Sequence, residues 1–121
     1  MDAQLKRGIL DVCVLTAIRN EDSYGYKIIK DVKPIIALSE STLYTIMKRL
    51  EDGNMLIVRS EEHDGRLRRY YHITERGIKR IEAFKEEWKE LMEIYLFIER
   101  SIENGKKWVL RWIKEKIKGT S

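Results

Sequence analysis

The sequence predicts a mainly α chain with one β-hairpin, an α+β arrangement of three short helices, the hairpin and a long C-terminal helical part. Three observations predict it. Apolar residues between Leu5 and Leu50 recur at helical spacing in blocks separated by turn residues. Met55–Glu62 and Arg68–Ile73 read as strands on either side of an Asp64-Gly65 turn. Beyond Thr74, apolar residues recur every seven positions, the period of a coiled-coil seam.

The first helix spans Gln4 to Arg19, with Leu5, Ile9, Val12, Cys13, Leu15, Ala17 and Ile18 on its apolar positions. Asn20-Glu21-Asp22 is a turn. Ser23 is placed to cap a second short helix, because the first N–H groups of a helix need an oxygen acceptor. That helix carries Tyr24, Tyr26, Ile28 and Ile29 and fades at Val32-Lys33, where Pro34 biases Lys33 away from helix. Ser39 is placed to cap a third helix. Its Leu43, Ile46, Met47 and Leu50 stand at i, i+3, i+4 and i+7, one buried stripe. Gly53-Asn54 tolerates the left-handed conformation that ends helices. After the hairpin, Thr74 can cap a fourth helix.

Two short helices joined by a turn and followed by a hairpin form a winged helix-turn-helix, expected over residues 1–74. The hairpin needs that bundle, since two strands alone are marginal. Residues 75–121 are expected to form a helical dimerisation region. There Ile81, Trp88, Tyr95 and Ile102 recur every seven residues, with Phe84, Leu91 and Ile98 between them. So regular a seam specifies a partner helix, and a second copy of the chain is the expected partner. Packing within one chain is the plainer alternative. Asn104-Gly105 can stop the helix, and Trp108, Val109, Trp112, Ile113 and Ile117 mark a last amphipathic segment over Lys106–Lys118.

Composition narrows the function. Lys and Arg number 24 against 20 Asp and Glu, so the net charge is only +4 and the placement of charge matters more than its sum. The one cysteine, Cys13, cannot form an intrachain disulfide, and on its apolar stripe it reads as an inert buried thiol. His63 and His72 have no ligand spacing with Cys13, so no metal site is expected. No nucleophile motif or Gly-rich phosphate loop occurs, so neither an enzyme nor a cofactor is expected. No signal-peptide pattern and no apolar run of membrane length is present, which predicts a cytoplasmic protein with no membrane partner.

Charge is placed on two elements. Opposite its apolar stripe, the third helix carries Ser41, Thr42, Tyr44, Thr45, Lys48 and Arg49. Hydroxyls and cations suit phosphate oxygens and base edges. The start of the second helix of a helix-turn-helix points into the major groove, so Ser41, Tyr44, Thr45 and Lys48 are the groove-facing candidates, with Ser39 and Thr42 at the helix start. A solvated helix face is the plainer reading, and Glu40 would repel a phosphate. The hairpin is then a wing, where Arg66 and Arg68 would meet double-stranded DNA. Alternation sends Arg68 and Tyr70 to one face and Arg69 and Tyr71 to the other, and one of the tyrosines must bury the sheet. Surface ion pairs with Asp64, Glu61 or Glu62 are the alternative use for these arginines. The rival function is a winged helix that binds a protein instead of DNA.

At these residues the sequence resembles the PadR-like transcriptional regulators. The matching pieces run in order: Leu5-Lys6-Arg7-Gly8-Ile9-Leu10, Ser23-Tyr24-Gly25-Tyr26, Leu38-Ser39-Glu40-Ser41-Thr42-Leu43-Tyr44, Arg49-Leu50-Glu51 and Gly65-Arg66-Leu67-Arg68-Arg69-Tyr70-Tyr71-His72-Ile73-Thr74. The resemblance implies a homodimeric winged-helix repressor on an inverted-repeat operator. Ser41 stands where that family often has Gly, Thr45 where it often has Pro, and Asn54 at a usual Gly position. The short C-terminal part is similar to the small subfamily with one long dimerising helix. In some such relatives, aromatic residues at the dimer interface sandwich flat apolar effectors, and Trp88 falls at the matching position. A small aromatic effector at Trp88 is therefore implied, beside the simpler reading of Trp88 as seam packing.

Overall fold

The computed structural model describes residues 1–101 and 107–119. The elements are α1 (Ala3–Ala17), α2 (Gly25–Val32), α3 (Glu40–Asp52), β1 (Leu56–His63), β2 (Arg66–Ile73), α4 (Glu75–Arg100) and α5 (Lys107–Gly119). This is the helix, helix, helix, hairpin, helix order that the sequence predicts, followed by α5 on its last amphipathic segment.

Local chemistry explains most of the boundaries. The Asp2 carboxylate accepts from the Leu5 amide at 3.0 Å and caps α1. Ser39 caps α3, its Oγ accepting from the Thr42 amide at 3.2 Å. Asn54 ends that helix at φ 60°, while Gly53 keeps φ −84°, so Asn54 alone adopts the left-handed conformation there. The Thr74 hydroxyl accepts from the Gly77 amide and donates to the Asn54 carbonyl, tying the start of α4 to the end of α3.

Ser23 departs from its expected role. Tyr24, with no side-chain cap, precedes α2. Ser23 instead exchanges both backbone hydrogen bonds with Tyr71, at 3.2 and 2.8 Å. A tertiary bridge to β2 outcompetes a local cap, and it leaves Ser23 1 % exposed.

The hairpin pairs antiparallel from Leu56 opposite Ile73 to His63 opposite Arg66. Asp64 and Gly65 form the two-residue turn at φ 52° and 77°, the left-handed pair that matches strand twist. The inner face carries Tyr71 and Ile73, which join Val14, Leu15, Ile28, Leu43, Ile46, Leu50 and Leu56 in one core. Gly77 lets α4 start against this layer, since a Cβ there would stand 2.3 Å from the Met55 carbonyl oxygen.

The chain divides into two compact units, Met1–Phe84 and Lys85–Ser121. The first includes the start of α4, beyond the residue-74 boundary expected from sequence. The reason is packing: Ile81 is 3 % exposed inside this core, and Ile78 and Phe84 lie against it. Ile81 and Phe84, expected in an intermolecular seam, therefore pack on their own chain. In the second unit Trp88, Leu91, Ile94, Tyr95, Phe97 and Ile98 are exposed along α4, and Ile113 of α5 is buried. Ile102, Asn104, Gly105 and Lys106 lie outside the described residues, as do the side chains of Trp108 and Val109. Among the described residues no helix is long and apolar enough to cross a membrane.

Candidate DNA-binding surface

The exposed face of α3 begins with a hydroxyl cluster. Ser39 Oγ donates to Thr42 Oγ1 at 2.8 Å and lies 3.3 Å from Ser41 Oγ. Thr45 Oγ1 donates to the Ser41 carbonyl at 3.0 Å. The hydroxyls are thereby oriented: Ser39 Oγ is saturated by these bonds, and the oxygens of Ser41, Thr42 and Thr45 keep acceptor capacity for a further partner. Ser41, Thr45 and Lys48 stand at i, i+4 and i+7, one exposed line along the helix.

Arg49 is not on that line. It forms an ion pair with Asp11 of α1 and is half-buried. Its expected place on the polar face is thus corrected: burial between two helices gives the guanidinium a carboxylate partner that sequence spacing cannot reveal.

Tyr44 points from α3 toward the start of α2. A Cβ on Gly25 would lie 3.2 Å from its hydroxyl, so the bare glycine leaves room for the phenol. Tyr44 lines a cleft of about 590 Å³ with Tyr24, Tyr26, Arg66, Leu67, Arg68 and Arg69. A smaller hollow of about 260 Å³ continues along α3, lined by Tyr44, Lys48, Glu51, Arg69 and Tyr71. The wing and the third helix therefore face a shared groove. Of the candidates read from sequence, Tyr44, Arg66 and Arg68 meet in the cleft and Lys48 in its extension. Ser39, Ser41, Thr42 and Thr45 form the separate hydroxyl cluster.

The alternation expected along β2 holds. Tyr71 is the tyrosine that buries the sheet, and burial raises its phenol pKa. On the opposite face, Tyr70 meets Tyr24 edge-on at 5.8 Å, and Arg68 lies over the Tyr24 ring at 4.0 Å. Two acidic residues near the turn have other partners, although Asp64 also lines the cleft. Glu61 pairs with Arg59 at 2.7 Å, and Asp64 lies 3.3 Å from His63. Among the described residues, no ion pair engages Arg66, Arg68 or Arg69.

Sequence reading missed three members of this surface. Tyr24 and Tyr26 read as apolar positions of the second helix, yet both line the cleft and Tyr26 is largely exposed. Arg69 is the third; sharing a strand face with Tyr71 was the available signal. Among the described residues no cluster of His, Cys, Asp and Glu could hold a metal ion.

Comparison with known proteins decides the family. Residues 14–83, more than half of the chain, match the transcriptional regulator PadR-like family. The chain belongs to that family. It is a DNA-binding transcriptional regulator and not an enzyme. The PadR-like chain is 31% identical to a transcriptional regulator from Clostridium thermocellum, at TM-score 0.69, covering 77% of this chain and 95% of that one. It is 28% identical to a PadR family transcription regulator from Clostridium difficile, at TM-score 0.67, covering 74% and 96%. An uncharacterized protein from Lysinibacillus sphaericus is 34% identical over 99 residues, which cover 77% of this chain and 91% of that protein.

Proposed function

We propose that this PadR-like regulator is a homodimeric repressor that binds an inverted-repeat operator through α3 and the wing. The observation that carries this reading is the cleft that Arg66, Arg68 and Arg69 line together with Tyr44 while engaging no carboxylate in an ion pair among the described residues. Cations left available beside a recognition helix are suited to the phosphate backbone, and the aligned Ser41, Thr45 and Lys48 to base edges. Ser39 and Thr42 complete the helix start. In this reading residues 1–74, with the start of α4 packed on their core, supply the DNA-binding part, and the rest of 75–121 the dimerisation part.

The exposed apolar stripe of α4 supports a dimer. Trp88, Leu91, Tyr95 and Ile98 keep the heptad spacing, and Ile94 and Phe97 widen the stripe. An apolar surface of this kind marks an association site. Two copies joined there would set the separation of two recognition helices. A small planar aromatic effector held at Trp88 would shift that separation, and it would release the operator in proportion to its differential affinity for the two dimer states.

Selection of duplexes from a random pool by the full chain tests the reading. Recovered sequences are expected to share an inverted repeat with half-site centres about one helical turn apart. An enriched site without internal symmetry contradicts the dimeric operator.

A further inference from the structure

The outer face of the wing and Tyr24 at the start of α2 together form a ladder of rings and cations. Arg59 lies over the Tyr70 ring at 5.1 Å, Tyr70 meets Tyr24 edge-on at 5.8 Å, and Arg68 lies over Tyr24 at 4.0 Å. The two end cations differ. Arg59 is ion-paired with both Asp22 and Glu61, so its charge is compensated within the fold. Arg68 lines the cleft and, among the described residues, rests on a ring instead of a carboxylate.

Tyr24 is itself fixed. Its neighbour Ser23 is bridged to Tyr71, and its ring is held by Tyr70. We propose that Tyr24 is a positioning residue for DNA binding, its ring face holding the Arg68 guanidinium ready at the cleft. This inference rests on reading the cleft as the DNA surface. A carboxylate partner would order Arg68 but occupy its N–H groups and cancel its charge. A stacked ring orders the planar group while leaving its edge and its charge for a phosphate. Ordering before contact removes part of the entropy loss that binding otherwise carries.

The test is fluorescence anisotropy of a labelled mixed-sequence duplex with the full chain at fixed low salt. Tyr24→Phe keeps the ring face and is expected to bind within about twofold of wild type, whereas Tyr24→Leu is expected to weaken binding about two- to tenfold. The decisive comparison is in the Arg68→Ala background, where Tyr24→Leu is expected to have no further effect. A merely structural role would weaken both backgrounds alike, and that result overturns the proposal. Arg68→Lys provides a check that leaves Tyr24 and the fold intact. It keeps the charge but not the planar guanidinium, so affinity should fall at fixed salt while the slope in a separate salt series stays unchanged; wild-type affinity overturns the proposal. Wild type failing to bind any duplex overturns the DNA-surface reading as well, whereas wild-type binding that Tyr24→Leu leaves unchanged overturns the positioning role alone.

Discussion

Arg49 of α3 and Asp11 of α1 form an ion pair that joins the third helix to the first helix of the bundle. The pair is partly buried, with side-chain exposures of 29% and 14%. Removing one partner leaves the other charge poorly solvated. Asp11→Ala is therefore expected to lower unfolding stability by about 1–3 kcal/mol. Urea titration of both proteins checks this, and a midpoint equal to wild type would contradict it.

Gly77 admits no side chain. A Cβ would stand 2.3 Å from the Met55 carbonyl oxygen and 2.7 Å from Ile73 Cγ1. Backbone and a packed strand residue must both shift, so Gly77→Ala is expected to cost about 1–3 kcal/mol or more despite the better helix propensity of Ala. Thermal unfolding followed by circular dichroism is the readout; a raised midpoint would show that α4 can move away freely.

Asp22 gives the fold an acid-sensitive contact. His72 Nδ1 donates to its carboxylate at 2.6 Å, and this bond, then Arg59, holds its pKa below the ordinary aspartate value. The unfolded chain therefore takes up this proton at a higher pH than the folded one. The stabilisation is full above the unfolded value and is lost as pH falls through the folded one. Wild type should exceed Asp22→Asn in stability near neutral pH, with the gap closing on acidification below the ordinary carboxylate range. A gap that persists unchanged at acid pH would assign it to packing instead.

The exposed stripe on α4 predicts an assembly. Leu91→Glu with Ile98→Glu places carboxylates on that stripe, where both residues are more than half exposed. Multi-angle light scattering should give a dimeric mass for wild type and a monomeric mass for the double variant, with unchanged helical content. A monomeric wild type would remove the seam from the account.

Much of this was legible because local chemistry and tertiary structure agree. Ser39, Thr74 and Asp64-Gly65 act in the structure as their residue types dictate, as cap, cap and left-handed turn. The misreadings fall where a distant partner overrides a local signal. Ser23 looks like a cap but pairs with Tyr71, a partner nothing in its neighbourhood announces. Arg49 looks solvent-facing until Asp11 is brought beside it. Ile81 continues the heptad spacing of Trp88, yet periodicity specifies a face and not its occupant, and here the occupant is the chain's own core. In the candidate site, Arg66 and Arg68 were visible as charge at a turn. The cleft itself was not, because it needs the start of α2 to lie beside the wing, which the bridge between Ser23 and Tyr71 provides.

In the proposed reading the wing arginines neutralise phosphates of the DNA backbone. The deciding measurement is anisotropy of a labelled duplex across a salt series, for wild type and the Arg66→Ala/Arg68→Ala variant. Wild type should show a steep negative log–log slope, and the variant a slope flatter by about 0.9 for each phosphate it no longer neutralises. Identical slopes in the two proteins, or no wild-type binding at low salt, would contradict the claim.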